Sequence, residues 1–120
     1  MAPDCIFCKI NGGQIPSPRV YEDDRFFAIR DIRPQAKVHL LVIPKEHVAS
    51  LEAAFPQSGA GRTQLMGELL EAATRVARDA GLLPNGFRLV LNTNAHGGQT
   101  VHHIHAHVLG GEPLSGGFGA

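Results

Sequence analysis

Between residues 62 and 80, Leu65, Met66, Leu69, Leu70, Ala73, Val76, Ala77 and Ala80 fall three and four positions apart, and Gly81 follows as a stop. That spacing predicts one long amphipathic helix with an apolar stripe that packs into the core. The remaining apolar runs are short, so the helix should lie across a sheet.

The strands are read from alternation and β-branched content. Residues 19–22 and the apolar run Phe26, Phe27, Ala28, Ile29 are separated by Asp23-Asp24, which is turn chemistry, and form an expected hairpin. Residues 38–43 are β-branched and apolar and close at Pro44. Residues 45–55 read as a loop with a helical turn, 87–91 as the fourth strand and 101–109 as the fifth. A short helix over residues 5–10 stops at Gly12-Gly13, and Pro16 and Pro18 hold the connection extended. The expected fold is therefore α+β: a five-stranded antiparallel sheet with one long helix and a short N-terminal helix. A chain of 120 residues with 43% hydrophobic content has room for one domain. Residues 112–120, Gly-rich at their end, are expected to form a mobile tail.

Composition narrows the partners. Eleven basic and eleven acidic residues cancel, so no net field gathers nucleic acid or an anionic membrane. The longest apolar runs are too short to cross a bilayer, and Asp4 stands where a signal peptide carries basic charge, so a cytoplasmic location is expected. Any phosphate ligand must be held by local geometry.

The chemistry concentrates in the fifth strand. A two-residue period sends His103, His105 and His107 to one face and Ile104, Ala106 and Val108 to the other. Clustered imidazoles serve metal binding or proton and group transfer, and spacing alone does not separate these uses. Upstream, Gly97 and Gly98 let backbone N–H groups approach an anion, and Thr100 offers a hydroxyl. An anion pocket beside a nucleophile points to phosphoryl chemistry. His102 belongs to the opposite face. His39 reads as a structural, hydrogen-bonded histidine.

The run His103-Ile104-His105-Ala106-His107-Val108-Leu109 resembles the signature of the histidine triad (HIT) superfamily. The likeness extends through Ile15-Pro16, Tyr21-Glu22-Asp23-Asp24, Asp31-Ile32, Pro34-Gln35-Ala36, residues 41–45, His47 and Gly97-Gly98-Gln99. The Gly110-Gly111 ending is similar to the Hint branch of purine nucleoside phosphoramidases. This resemblance implies hydrolysis of a P–N bond through a covalent nucleotidyl-histidine intermediate. His105 would attack phosphorus, with its other N–H held by the His103 carbonyl. His107 and Thr100 would stabilise charge and help protonate the leaving amine. Asp31 would accept from the ribose hydroxyls. Asn92 would donate to phosphate or ribose, Gly98 and Gln99 would meet the nucleotide, and Ile15, Phe27, Ile29 and Ile32 would wall the base. No cofactor is required for that catalysis. A related dinucleoside polyphosphate hydrolase, and a nucleotide-binding interaction protein with incidental catalysis, remain alternatives.

Cys5-x-x-Cys8 is open to metal, to redox chemistry or to simple burial as small hydrophobes. By resemblance to zinc-bearing bacterial relatives, Cys5, Cys8, His47 and His103 would form a structural zinc site with no open position. The branch also implies a homodimer through the long helix and residues 87–91. Thr100 replaces the serine of many relatives, and Leu114-Ser115-Gly116-Gly117-Phe118 replaces the tryptophan-containing end of animal ones.

Overall fold

A computed structural model of the protein describes residues 4–117. Helix α1 (Ile6–Asn11) leads into strands β1 (Tyr21–Glu22), β2 (Phe26–Arg30) and β3 (Val38–Pro44). The short helix α2 (Leu51–Ala54) and the long helix α3 (Thr63–Asp79) precede β4 (Phe87–Val90) and β5 (Ala106–Gly110). The strands form one antiparallel sheet in the order β1-β2-β3-β5-β4. This is the expected α+β fold, with β5 inserted between β3 and β4.

Helix α3 starts at Thr63 and ends as its sequence requires. Gly81 adopts φ +78°, its N–H donates to the Arg78 carbonyl (3.0 Å), and the Leu82 N–H reaches back to Ala77 (3.0 Å). This left-handed stop turns Leu82 into the core. The buried stripe is Leu65, Leu69, Ala72, Ala73, Val76 and Ala77. Leu70 and Ala80, expected within it, lie outside, and Ala72 takes part instead. The stripe is narrower than the apolar spacing implied because one sheet covers only one side of the helix.

The sheet has two different faces. Against α3 pack Phe26 and Ala28 of β2, Leu40 and Val42 of β3, and Ile104, Ala106 and Val108. On the other face Phe27, Ile29, Leu41 and Ile43 pack with Cys5, Phe7, Cys8 and Ile10 of the α1 segment. The small helix thus covers part of the face that carries the histidines.

One strand differs from expectation. Residues 101–105 are not in the sheet; β5 begins at Ala106, opposite Val42. Beyond that pair β3 reaches Pro44, which has no N–H to give to the ladder. The Pro44 carbonyl accepts instead from His103 Nε2 (2.7 Å), and the Ile104 N–H donates to Val48 (2.7 Å). The alternation of faces survives this departure. Strand β1 is also shorter than residues 19–22, and α2 supplies the helical turn expected between 45 and 55.

The segment expected as a tail is tied at two points. Glu112 Oε2 accepts from the Lys37 N–H (2.7 Å), and Arg88 Nη2 donates to the Ser115 carbonyl (2.5 Å). Phe118 and the rest of that segment lie outside the described residues. No described helix is long and apolar enough to cross a membrane.

Candidate active site

His105 is buried, and its Nδ1–H donates to the His103 carbonyl at 2.8 Å. With that proton fixed, Nε2 carries the lone pair. The Phe7 ring meets the imidazole edge-on, with centroids 5.1 Å apart, and limits its rotation. Burial lowers the His105 pKa, against an opposing pull from the His103 carbonyl and Asp31. The ring is therefore neutral at neutral pH and nucleophilic at Nε2.

His107 lies next to it, ring centroids 5.0 Å apart, as the register of β5 requires. The Gln35 N–H donates to His39 Nδ1 (3.0 Å), so the proton of neutral His39 sits on Nε2. That Nε2 is 2.9 Å from His107 Nδ1 and 3.4 Å from Asp31 Oδ2. His39 thus donates to His107 Nδ1, and the His107 proton is placed on Nε2. Burial, then the proximity of His105 and His39, brings the His107 pKa down to about 4. His107 is a neutral N–H donor whose orientation comes from β3.

Asp31 directly follows β2, and its Oδ1 accepts from the Arg33 N–H at 2.8 Å. Its Oδ2 faces His39 Nε2, and its side chain is partly exposed. Asp31, His39 and His107 lie close enough together to hold a cation, but the Gln35 N–H keeps the His39 proton on the nitrogen that would have to bind it. The donor chemistry favours a hydrogen-bond relay there.

The side chain of His103 turns away from the other two. Its Nε2–H is given to Pro44, so the Nδ1 lone pair faces Cys5 Sγ (3.2 Å), Cys8 Sγ (3.6 Å) and His47 Nδ1 (3.1 Å). Cys8 Sγ is 3.4 Å from His47 Nδ1, and all four ligand atoms lie within 4.8 Å of one another. Ligands on a tetrahedral zinc would be roughly 3.3 to 3.8 Å apart for ordinary Zn–N and Zn–S lengths. Two thiols and two imidazole nitrogens converging at these spacings fit a zinc ion. Burial pushes the Cys5 thiol up and brings His103 down to about 4, so the pocket favours neutral groups unless a cation compensates.

The loop from Asn92 to Thr100 connects β4 to the segment that carries the histidines. Gly97 has no room for a side chain: a Cβ would stand 2.4 Å from the Thr93 carbonyl oxygen. Gly98 adopts φ +79°. Asn92 Nδ2 donates to the Gly97 carbonyl (2.8 Å), so its amide shapes the loop. Gln99 is buried, donates to Ala49 (2.7 Å) and Val101 (3.1 Å), and accepts from the Asn94 N–H. Its side chain is committed to the protein, and its backbone N–H is given to the Asn94 carbonyl (3.0 Å), as that of Gly98 is to Ala95 (3.1 Å). Thr100 is exposed.

Of the expected base wall, Ile32 is 92% exposed and Ile15 half-buried, while Ile29 is buried. Phe27 is 0% exposed, with the Arg19 guanidinium 4.7 Å above its ring. It supports such a wall from behind and offers no surface of its own. Sequence reasoning missed the tautomer-setting role of His39. The two-residue period through Leu41 and Ile43 places it on the correct face, but its pairing beside β5 is a property of the sheet.

Residues 12–114 match the family model of the HIT domain. The chain belongs to the HIT family. A purine nucleoside phosphoramidase of Escherichia coli is 44% identical over 114 residues, covering 95% of this chain and 92% of that protein. A HIT-like protein of Synechocystis is 50% identical over 96% of each. Among solved structures, a HIT family hydrolase of Clostridium thermocellum superposes with a TM-score of 0.88 at 40% identity, covering 98% of this chain and 99% of that one. A histidine triad protein of Clostridium difficile gives 0.87 at 40% identity over 96% of each. The sheet order and long helix described above are thus those of a HIT fold.

Proposed function

We propose that this HIT protein is a nucleotide hydrolase that cleaves purine nucleoside phosphoramidates at the P–N bond. The observation that carries the reading is the 2.8 Å bond from His105 Nδ1–H to the His103 carbonyl, which leaves Nε2 free to attack. In the first step Nε2 forms a bond to the α-phosphorus while the P–N bond breaks. The departing nitrogen accepts a hydrogen bond from His107 Nε2–H and leaves as the amine with a proton from solvent. Asp31 binds the ribose hydroxyls, and the Asn92 amide and the Thr100 hydroxyl donate to phosphate oxygens. Water then displaces His105 from phosphorus, its oxygen forming the new P–O bond as the P–N bond to His105 breaks and its proton passes to solvent.

A structural zinc on Cys5, Cys8, His47 and His103 belongs to the same reading. Bound there, it would pin α1 to the sheet and steady the carbonyl that orients His105, with all four positions filled by protein. A homodimer is also part of the proposal. The edge strand β4 is half-buried along its length, and α3 leaves Leu70 48% exposed.

The test compares steady-state turnover of adenosine phosphoramidate and a diadenosine polyphosphate by the wild type and His105→Ala. The phosphoramidate should be the better substrate, and the variant should lose on the order of 10³-fold or more in kcat. Near wild-type turnover by His105→Ala would remove the mechanism. Preference for the polyphosphate would move the protein to the related hydrolase class. Tight nucleotide binding without turnover would leave a binding protein.

A further inference from the structure

A cavity lies on the face of the sheet opposite the triad. It holds about 440 Å³ and opens where the end of β2 and the start of β3 meet the last turn of α3. Its apolar floor, Val20, Val38, Leu40 and Val76, belongs to the core under α3 and not to the cluster beside the histidines. Asp31 and His39 also border it, but their side chains are turned to the triad face, where Asp31 meets His39 and His39 meets His107. The volume lies within the range of about 300 to 1,000 Å³ usual for small-molecule sites.

Two cations stand over that floor on fixed backbone. Arg30 closes β2 opposite Leu40, and the period of two that sends Ile29 to the triad face sends Arg30 to this one. Lys37 enters β3 with its N–H held by Glu112. Both side chains are exposed, both line the cavity, and neither enters an ion pair among the described residues. Asp79 lines the α3 wall, also without an ion pair among them, and repels a second anionic group. The cavity is clear of the proposed dimer surface. Strand β4 is on the far side of β5 from β2 and β3, and Asp79 follows Leu70 by about two and a half turns of α3, which puts the two on opposite sides of the helix.

We propose that this cavity binds a small organic monocarboxylate, its head on Arg30 and Lys37 and its apolar chain along Val20, Val38, Leu40 and Val76. Asp79 restricts the ligand to one anionic end. The site is independent of the phosphoramidase reading, since its side chains take no part in the chemistry at phosphorus.

The experiment titrates the full chain with hexanoate, with the dicarboxylate adipate and with hexylamine, and follows backbone amide shifts by NMR. Hexanoate should move the amides of Val38, Val76 and Ala80 saturably and leave that of His105 in place. Hexylamine should not move them, and adipate should bind about threefold more weakly than hexanoate. The double variant Arg30→Gln, Lys37→Gln, altered only at exposed side chains, should bind hexanoate about tenfold more weakly. Asp79→Asn should bring adipate close to hexanoate. Absence of a saturable shift, or shifts centred on His105 and His107, overturns the site. Equal binding of hexanoate and hexylamine, or unchanged binding by the double variant, overturns the carboxylate class. An unchanged preference in Asp79→Asn overturns the role of Asp79.

Discussion

His39 Nε2 stands 2.9 Å from His107 Nδ1, and the Gln35 N–H occupies the opposite nitrogen of His39 at 3.0 Å. A backbone donor in the loop between β2 and β3 thereby sets the tautomer of a histidine on β5. The relay works without charge because burial keeps His107 neutral.

Replacing His39 with alanine removes that orientation while leaving Asp31 and His105 in place. Turnover of a phosphoramidate should fall about 10²-fold, in the range usual for general acid–base contributions. The nucleotide KM should change much less. Steady-state kinetics of His39→Ala beside His39→Gln, which keeps a side-chain N–H, checks this; equal kcat in wild type and His39→Ala would remove the relay.

The pH profile follows from His105. Its lone pair is lost when Nε2 is protonated, and burial lowers the pH at which this happens. The acid limb of kcat/KM should therefore have its midpoint below the ordinary histidine value of about 6.5. A midpoint above that value would contradict a neutral, buried nucleophile.

Stability should follow pH in the same direction. In the unfolded chain, imidazoles take up protons near about 6.5, whereas folded His107 does so near about 4. Above the higher value both states are neutral and the contribution is complete. Between the two, the unfolded chain binds protons that the folded chain refuses, so stability falls as pH falls. Urea midpoints measured from pH 7 to pH 4 should decline. A flat series would show that His107 does not titrate differently on folding.

Metal content tests the cysteine cluster directly. Protein purified without chelator should carry one zinc per chain, and its removal by EDTA should lower Tm by roughly 5 to 10 °C, as expected for about 1 to 2 kcal/mol in a domain of this size. Cys8→Ser should lose the metal. A content well below one per chain together with an unchanged Tm would leave Cys5 and Cys8 as buried thiols.

Gly97 is a backbone test of the phosphate loop. A methyl group there would stand 2.4 Å from one Thr93 backbone atom and 2.9 Å from another, so the loop must move. Gly97→Ala should cost about 1 to 3 kcal/mol and raise KM for the nucleotide. Thermal melts and initial rates measure the two effects, and a wild-type KM would show that the loop does not hold the phosphate.

Some of this molecule is local and can be read along the chain. Three- and four-residue spacing with Gly81 at the end marks α3, because a helix buries one stripe whatever it packs against. Alternation separates His103, His105 and His107 from Ile104, Ala106 and Val108, because extended backbone reverses its side chains at every residue. That inference survived even though residues 101–105 lie outside the ladder. Alternation depends on local backbone extension, whereas ladder pairing depends on a partner strand, and that partner ends at a proline.

The division of labour among the histidines lies beyond local pattern. Three identical side chains in one short run meet three different neighbours: the backbone of His103, the His39 ring from β3, and the thiols of the α1 segment. Strand order places β5 beside β3 and brings Cys5 to within 3.2 Å of a residue 98 positions away. Tautomer and pKa respond to distances of a few ångströms and to burial, and both are set only when distant segments pack. The sequence thus determined which residues share a face, while the tertiary fold decided which nitrogen of each carries the proton.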